Sequence, residues 1–311
     1  MSIKRKENGK NILGVGGANM DVHLKISGDY VLHDSNPGRL LLSPGGVTRN
    51  ILDNLAKLGL CCSMLTAVGK DVFGDEILRS CSAAGIKTDH VFRSGEEYSS
   101  SYIALIDGEG DMFVGACDAE ILEHMPLSYI EAAETDLKAA DAIVCDTNLT
   151  EEQLKRLTEL SGDTPIFIDP VSTAKAKRIK DIAGRFYCIK PNRMELEAIT
   201  GMECLTDRDI QAACEKLLRE GVREVAVSLG ARGCYYADSE GYSFFRTPAA
   251  VEEMVNASGA GDAFTAGLVY SYIQGLSPEE TVDTALRCGS IAVMSGETIN
   301  PAMSEELLKA E

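Results

Sequence analysis

Two hydrophobic periods divide this chain. Residues 11–15 (Asn-Ile-Leu-Gly-Val) read as a short buried strand. From Val22 to Ser43 apolar and polar residues alternate in two stretches, Val22–Ile26 and Arg39–Leu42, separated by the turn-rich Ser27-Gly-Asp and Asp34-Ser-Asn-Pro-Gly38. An amphipathic helix follows, with Ile51, Leu55 and Leu58 on one face and a stop at Gly59. A strand over Ser63–Val68 leads through Gly69–Gly74 into another helix. Strand signals return at Val91-Phe92, Ser101–Ile106 and Met112–Val114, with a turn at Asp107-Gly-Glu-Gly110. The two alternating blocks, about 22–44 and 91–115, predict a small β flap inserted in a larger domain.

After residue 120 apolar runs and helical periods take turns. Helices are predicted over about 127–139, 150–160, 193–200, 207–220, 260–275 and 278–294. Strands are predicted at Ala142–Cys145, Ile166–Ile168, Phe186–Ile189 and Glu224–Ser228, followed by a hairpin of Cys234-Tyr-Tyr and Tyr242-Ser-Phe-Phe. Strands alternating with helices predict an α/β fold, a mainly parallel sheet covered on both faces. No internal repeat or linker cuts the chain, so residues 1–311 are expected to form one domain.

Composition narrows the partners. The net charge of −18 argues against non-specific binding to a nucleic-acid polymer or to an anionic membrane surface, and leaves room for a local basic pocket for a nucleotide. There is no apolar run of membrane-spanning length, and Met1–Lys10 has no signal-peptide core, so a cytoplasmic protein is expected. The ten cysteines contain no C-x-x-C and sit singly in apolar segments, as reduced buried thiols do. The histidines His23, His33, His90 and His124 show no ligand spacing.

The candidate chemistry centres on Asn256-Ala-Ser-Gly-Ala-Gly-Asp-Ala-Phe-Thr-Ala-Gly267. Gly259, Ala260 and Gly261 open a helix whose bare N–H groups and dipole favour an anion, and Asp262 stands in its first turn. A cradle with a carboxylate beside it suits phosphoryl transfer to an alcohol, though a plain turn and cap has the same look. Asn192 and Glu195, in Lys190-Pro-Asn-Arg-Met-Glu195, suit a magnesium–phosphate site or an ordinary capping box. Ser228-Leu-Gly-Ala-Arg-Gly233 suits a nucleotide-wrapping backbone or a tight hairpin. Asn19 and Asp21 fall just past a strand end, where open α/β sheets bind ligands. In Pro44-Gly-Gly-Val-Thr-Arg-Asn50 the glycine pair admits a ligand close to the backbone, and Asn50 offers a donor and an acceptor. There is no P-loop.

In their order and spacing, Gly-Gly-x-x-x-Asn near 50, Asn-x-x-Glu near 195, Leu-Gly-x-x-Gly near 232 and Gly-Ala-Gly-Asp near 262 resemble the ribokinase-like (PfkB) sugar and nucleoside kinases across essentially the whole chain. The resemblance implies a three-layer α/β/α sandwich with a β lid, and an ATP- and Mg²⁺-dependent phosphotransferase. It implies Asp262 as catalytic base, with Gly259, Ala260 and Gly261 as the anion hole. Lys190, Asn192, Ser228, Gly230 and Gly233 would border ATP, with Asn192 and Glu195 organising Mg²⁺. The substrate would meet Asn19, Asp21, Gly45, Gly46, Thr48, Arg49, Asn50 and Ser101.

Three stretches are similar to the pseudouridine kinase subgroup: Gly45-Gly-Val-Thr-Arg-Asn50, Asp146-Thr-Asn-Leu-Thr150, and Asp169-Pro-Val-Ser-Thr-Ala-Lys175 with Lys177-Arg-Ile-Lys180. Transfer of the ATP γ-phosphoryl to the 5′-hydroxyl of pseudouridine is therefore expected, with Ser99, Ser100, Ser101 and Thr48 as candidate acceptors for the extra ring N–H. A helix-start charge, a helix cap and a solvated basic face are the plain readings of the same stretches. Another ribokinase-like kinase (ribokinase, fructokinase, adenosine/inosine kinase) is the alternative, and a non-catalytic nucleoside-binding sensor a further one. Asn256 and Ala257 depart from the Asp and Thr frequent in that neighbourhood, which puts K⁺ activation in doubt because an Asn carbonyl brings no charge. The lid strands suggest a homodimer interface.

Overall fold

Short apolar runs with no polar face build the centre of the protein, in a computed structural model that describes residues 10–107, 111–249 and 254–309. The strands are β1 (Asn11–Val15), β2 (Asn19–Ile26), β3 (Gly38–Gly45), β4 (Cys61–Leu65), β5 (Ala67–Gly69), β6 (Phe92–Ser94) and β7 (Ser101–Ile106). They continue with β8 (Met112–Asp118), β9 (Ala142–Asp146), β10 (Ile166–Asp169), β11 (Cys188–Ile189), β12 (Glu224–Ser228), β13 (Cys234–Asp238) and β14 (Ser243–Arg246). Eight of them form one sheet in the order β14-β13-β12-β11-β10-β9-β1-β4, parallel from β12 to β4, with β13 and β14 antiparallel at one edge.

The two-residue period of a strand splits the core into two layers. Leu13, Val15, Ile143, Cys145, Ile166 and Ile168 face Leu137, Leu154, Leu157, Leu196, Ile210 and Leu217 on one side. Ile12, Ala142, Val144, Phe167 and Cys188 face Ile51, Leu55, Ile77, Phe264, Leu268 and Val282 on the other. The result is a three-layer α/β/α sandwich, as the sequence pattern led one to expect. The helix Ala260–Gln274 is buried on nearly all sides between residues 263 and 271, so it packs inside its layer and shows no polar face.

A second, four-stranded sheet, β3-β2-β7-β8, stands off this body as a lid. Leu40, Leu41 and Leu42 of β3 are each about half exposed, because the lid covers the body only at its foot. The block expected to begin the second half of the lid at residue 91 does not do so. Phe92–Ser94 pairs in parallel with Ala67–Gly69 as a separate two-stranded sheet, and the lid resumes only at Ser101. Alternation marks a half-buried strand without naming its partner. The helix expected over 127–139 is broken in two at Ala133, and the strand expected over Phe186–Ile189 keeps only its last two residues after a 3-10 turn at Ala183–Arg185. The turn expected at Asp107–Gly110 falls on 108–110, outside the described residues.

Candidate active site

From β1 the sheet grows one way to β4, and from β9 the other way through β10, β11 and β12. Between β1 and β9 the strand order reverses, the place where an open α/β sheet leaves a crevice beyond its carboxyl ends. Asp146, the last residue of β9, fills its floor with no exposed surface. Its Oδ2 accepts from the Gly17 amide (2.9 Å), the Thr48 amide (3.0 Å) and Thr48 Oγ1 (2.8 Å), and its Oδ1 from the Asn148 amide (2.9 Å). Burial raises this carboxyl's pKa even though those bonds pull the other way. Asp146 thus pins the β1 turn, the start of the helix Val47–Lys57 and the loop after β9 to one point.

The helix Ala260–Gln274 points its N-terminus at the same crevice. Four other helices start with capping boxes, at Thr150, Asn192, Thr206 and Ser277, whereas no side chain caps this one. Its N-cap Gly259 has φ 79°, and a Cβ there would lie 2.0 Å from the Thr298 carbonyl oxygen, so only glycine fits. The Ala260 N–H makes a long bond to the Ala257 carbonyl (3.4 Å), while those of Gly261 and Asp262 have no intrahelical acceptor. A Cβ on Gly261 would stand 3.3 Å from Lys190 Nζ, which places an ammonium beside this helix start. Lys190 is 6% exposed and bonded to Asp169 Oδ2 at 2.7 Å. Burial works to lower its pKa, but Asp169, Glu195 and Asp262 outweigh it and the net direction is up, so it stays charged.

Asp262 keeps some surface on the crevice side but is otherwise packed round by protein. Burial, chiefly, together with the charges of Asp169 and Asp146, pushes its pKa up to about 7, against the lowering effects of the Asn50 hydrogen bond and of Lys190. That is the range a general base needs at neutral pH.

A cavity of about 280 Å³ lies beneath the lid and is lined by Asn50, the hydrogen-bond partner of Asp262. Its lining includes Asn19, Asp21, Gly46 and Asn50, with Ser100, Tyr102 and Cys117 from the lid side, and Asn148, Val171 and Lys175. Asp21 Oδ1 accepts from Asn19 Nδ2 at 2.6 Å, and burial raises its pKa against the pull of Asn19, His23 and Arg49. Lys175 Nζ donates to Asn148 Oδ1 at 2.6 Å. A larger depression of about 470 Å³ near Lys138 and Pro165 lies by the amino end of β10, away from all these groups.

The expected nucleotide-side residues gather at the ends of β11 and β12. Asn192 and Ser228 form an isolated parallel bridge, and the Ser228 amide donates to the Pro191 carbonyl at 2.9 Å. Asn192 and Glu195 make a reciprocal capping box: the Glu195 amide donates to Asn192 Oδ1 (2.9 Å) and the Asn192 amide to Glu195 Oε2 (2.8 Å). The plain reading of that spacing is therefore realised, leaving Asn192 Nδ2 and Glu195 Oε1 for a ligand. Gly230 and Gly233 bound a 3-10 turn, both at positive φ. Asn256 Oδ1 accepts from the Ser258 amide, and its Nδ2 donates to the Gly296 carbonyl, so this amide braces the loop before the helix.

Three expected substrate residues do not reach the cavity freely. Arg49 is 2% exposed, and its guanidinium is committed to protein acceptors. The Thr48 hydroxyl is spent on Asp146. Ser101 does not line the cavity: strand alternation turns Ser100 and Tyr102 inward and Ser101 away. Ser99 is likewise occupied, donating to Asp71 Oδ1 and accepting from the Gly69 amide. Gly45 packs so closely on Asp21 that a Cβ would fall 2.3 Å from its Oδ2. In return the structure adds Tyr102, Asn148, Lys175, Asp146 and Asp169. Asn148 and Lys175 lay in stretches the sequence marked, but only adjacency of β9 and β10 brings them together.

The profile described as pfkB family carbohydrate kinase matches residues 10–305. The chain is 33% identical to pseudouridine kinase of Escherichia coli (strain K12) over 290 residues, 93% of this chain and 92% of that protein. Among solved structures it resembles a carbohydrate kinase from Agrobacterium tumefaciens (TM-score 0.86, 24% identity, 96% of each chain). It also resembles Arabidopsis thaliana ribokinase complexed with ribose and ATP (TM-score 0.83, 19% identity, 98% of this chain and 100% of that one).

Proposed function

The chain belongs to the pfkB family of carbohydrate kinases, phosphotransferases with an alcohol acceptor, and from that premise we propose that it transfers the γ-phosphoryl group of ATP to the 5′-hydroxyl of pseudouridine. The observation that carries the acceptor is the polarity of the cavity beneath the lid. A desolvated carboxylate, Asp21, and the hydrogen-bonded donors Lys175 and Asn148 all line it. Asp21 suits a pair of ribose hydroxyls, which a carboxylate accepts from together. Lys175 and Asn148 suit the carbonyl oxygens of a uracil ring. Ser100 Oγ donates to the Asp118 carbonyl, which leaves its lone pairs for a ring N–H. The similarity to a pseudouridine kinase supports the same reading.

In this reading Asp262 takes the proton of the attacking hydroxyl, and the N–H groups of Ala260 and Gly261 receive charge from the phosphoryl group, with Lys190 beside them. Gly230 and Gly233 border the nucleotide with Ser228 and Asn192. Magnesium, when bound, takes up charge developing on the phosphate oxygens. Glu195 fits it: the residue is 4% exposed, and burial raises its carboxyl's pKa, so a cation nearby relieves the cost of ionising it. One carboxylate suffices, because magnesium keeps waters and phosphate oxygens in its remaining positions; among the described residues no cluster of three or more acidic, His or Cys side chains forms a metal cage. The lid closes over the acceptor and excludes water that would compete for the phosphoryl group.

We place K⁺ outside the requirement, since Asn256 already spends its side-chain oxygen on the Ser258 amide. We assign the exposed lid residues Leu40, Leu42, Ile103 and Phe113 to a homodimer contact, which sedimentation velocity tests. With ten free cysteines and no described helix able to cross a membrane, we place the protein in the cytoplasm.

The test is ADP release with ATP and Mg²⁺ and, separately, pseudouridine, uridine, ribose, fructose, adenosine and inosine. Turnover chiefly on pseudouridine supports the assignment. Turnover chiefly on a free sugar or a purine nucleoside overturns the acceptor and keeps the phosphotransfer. Binding of a nucleoside with no turnover on any acceptor points to a sensor.

A further inference from the structure

Arg49 is the most completely engaged side chain near the crevice, and it touches no cavity surface. All five of its N–H donors are used. Nε donates to the Gly45 carbonyl (3.0 Å), and Nη2 to the Pro44 carbonyl (2.9 Å) and Asn50 Oδ1 (2.7 Å). Nη1 donates to Asp53 Oδ2 (3.2 Å) and Ser80 Oγ (3.4 Å). Pro44 and Gly45 end β3, and Gly46 follows at φ 103°, so these carbonyls form the foot of the lid where it joins the helix Val47–Lys57.

The contact with Asn50 removes an ambiguity. A guanidinium has no acceptor, so the amide atom facing it must be the oxygen. The amide NH₂ is therefore turned the other way, and Nδ2 meets Asp262 Oδ2 at 2.8 Å. Released from Arg49, the amide loses the partner that fixes its oxygen and is free to rotate its NH₂ off Asp262 toward other acceptors.

We propose that Arg49 is a positioning residue that holds the lid foot and the Asn50 oxygen together, and so locks the Asn50 NH₂ onto Asp262 only while β3 is seated. It binds neither substrate nor nucleotide. The inference rests on the reading of Asp262 as the base for its consequence in turnover, but the lock itself does not depend on which alcohol is phosphorylated. The other charged groups facing Asp262 are Asp169 from β10, Lys190 after β11 and Asp146 from β9, and none of them touches Arg49.

The experiment titrates the Asp262 carboxyl by ¹³C NMR in the acceptor-free protein, in the parent and in Arg49→Met, Asn50→Ala, the double variant and Asp53→Asn. Where Arg49→Met does not fold, Arg49→Lys takes its place, since an ammonium has three donors at one point and cannot span the five acceptors of the guanidinium fork. Loss of a hydrogen bond to a charged group raises the midpoint by about one pH unit. That shift is expected in Arg49→Met and in Asn50→Ala, with no further shift in the double variant. Asp53→Asn, which weakens a packing partner of Arg49 without freeing Asn50, leaves the midpoint in place. Methylguanidine added to Arg49→Ala brings it back down. In turnover, kcat at pH 7 falls about fivefold as the ionised fraction drops, with KM for ATP unchanged. A midpoint that moves in Asn50→Ala and not in Arg49→Met, or shifts that add in the double variant, overturn the proposal. Full turnover in Asp262→Asn strikes only the assignment of the base, and the titration still decides the lock.

Discussion

Asn50 Nδ2 donates to Asp262 Oδ2 at 2.8 Å, joining residues 212 positions apart. One stands in the first turn of the helix Val47–Lys57 and the other in the first turn of Ala260–Gln274. Both helices lie on the same face of the sheet, and their N-termini converge on the strand switch point. The bond lowers the pKa of a carboxyl that burial raises.

Replacing that carboxyl tests its role directly. Asp262→Asn keeps the partner and the shape, and is expected to lower kcat by at least about 10²-fold, the usual worth of a positioned base. In the parent protein the working form is the ionised one. With a pKa of about 7, kcat/KM falls tenfold for each pH unit below that value and levels off above it. A pH–rate profile from 5.5 to 8.5 reads this, and a flat profile across 7 removes Asp262 as base.

The same group sets a pH dependence of stability. Its folded pKa of about 7 lies above the ordinary 3.8, so between those values the folded protein binds more protons than the unfolded chain. Stability from this group is fullest below about pH 4 and is lost as pH rises through 7. Asp262→Asn has no such penalty. Thermal unfolding should show the variant more stable than the parent at pH 8, on the order of 1–3 kcal/mol, with the gap closing toward pH 4. An equal gap at both pH values contradicts the assigned shift.

Most of the body was legible in the sequence, for a physical reason. The helices at 193–200 and 207–220 match their predicted bounds because capping boxes start them and left-handed glycines end them, all local signals. The buried strands at 142 and 166 were legible as uninterrupted apolar runs. What local pattern does not carry is which partner a group has. Arg49 stands in a glycine-rich motif and was expected at the substrate, but its acceptors are carbonyls at the end of a strand that only the fold brings back. Asn192 and Glu195 presented two readings at one spacing, and the capping box is the one present in the folded chain. Asn148 and Lys175 lay in stretches the sequence marked, but that they meet was not legible until the pairing of β9 with β10 joined their loops.

The glycines before Asp262 separate two demands. Gly259→Ala meets a positive φ and a carbonyl oxygen 2.0 Å from the new methyl group, so the helix start has to move. A loss of about 1–3 kcal/mol in stability is expected, with activity lost alongside. Gly261 has ordinary helical geometry, and its nearest neighbour is Lys190 Nζ at 3.3 Å. Gly261→Ala should fold as well as the parent or better, since alanine favours a helix by about 1 kcal/mol. It should nevertheless phosphorylate poorly, because the methyl group stands between Lys190 and the first-turn N–H groups. Denaturant melts and steady-state kinetics on the pair check this, and equal melts for the two variants contradict it.

Lys175 divides nucleoside from sugar. It lines the cavity together with Val171, whose φ of 61° is unusual for a β-branched residue and marks a sharp loop there. One Lys175 N–H is given to Asn148, which leaves two others and the Asn148 NH₂ for a ligand. A free pentose placed with its hydroxyls on Asp21 has no atoms to offer them, whereas a base attached to that pentose does. Lys175→Met keeps the stem and removes the donors. Its KM for pseudouridine should rise about 10- to 100-fold, the worth of a charged hydrogen bond, with kcat little changed because Asp262 and the anion hole are untouched. The KM for ribose, if ribose is turned over at all, should stay where it was. The ratio of the two effects is the useful quantity, since a general loosening of the cavity raises both together. A parallel rise therefore places the base elsewhere, while a rise confined to the nucleoside places the ring against Lys175.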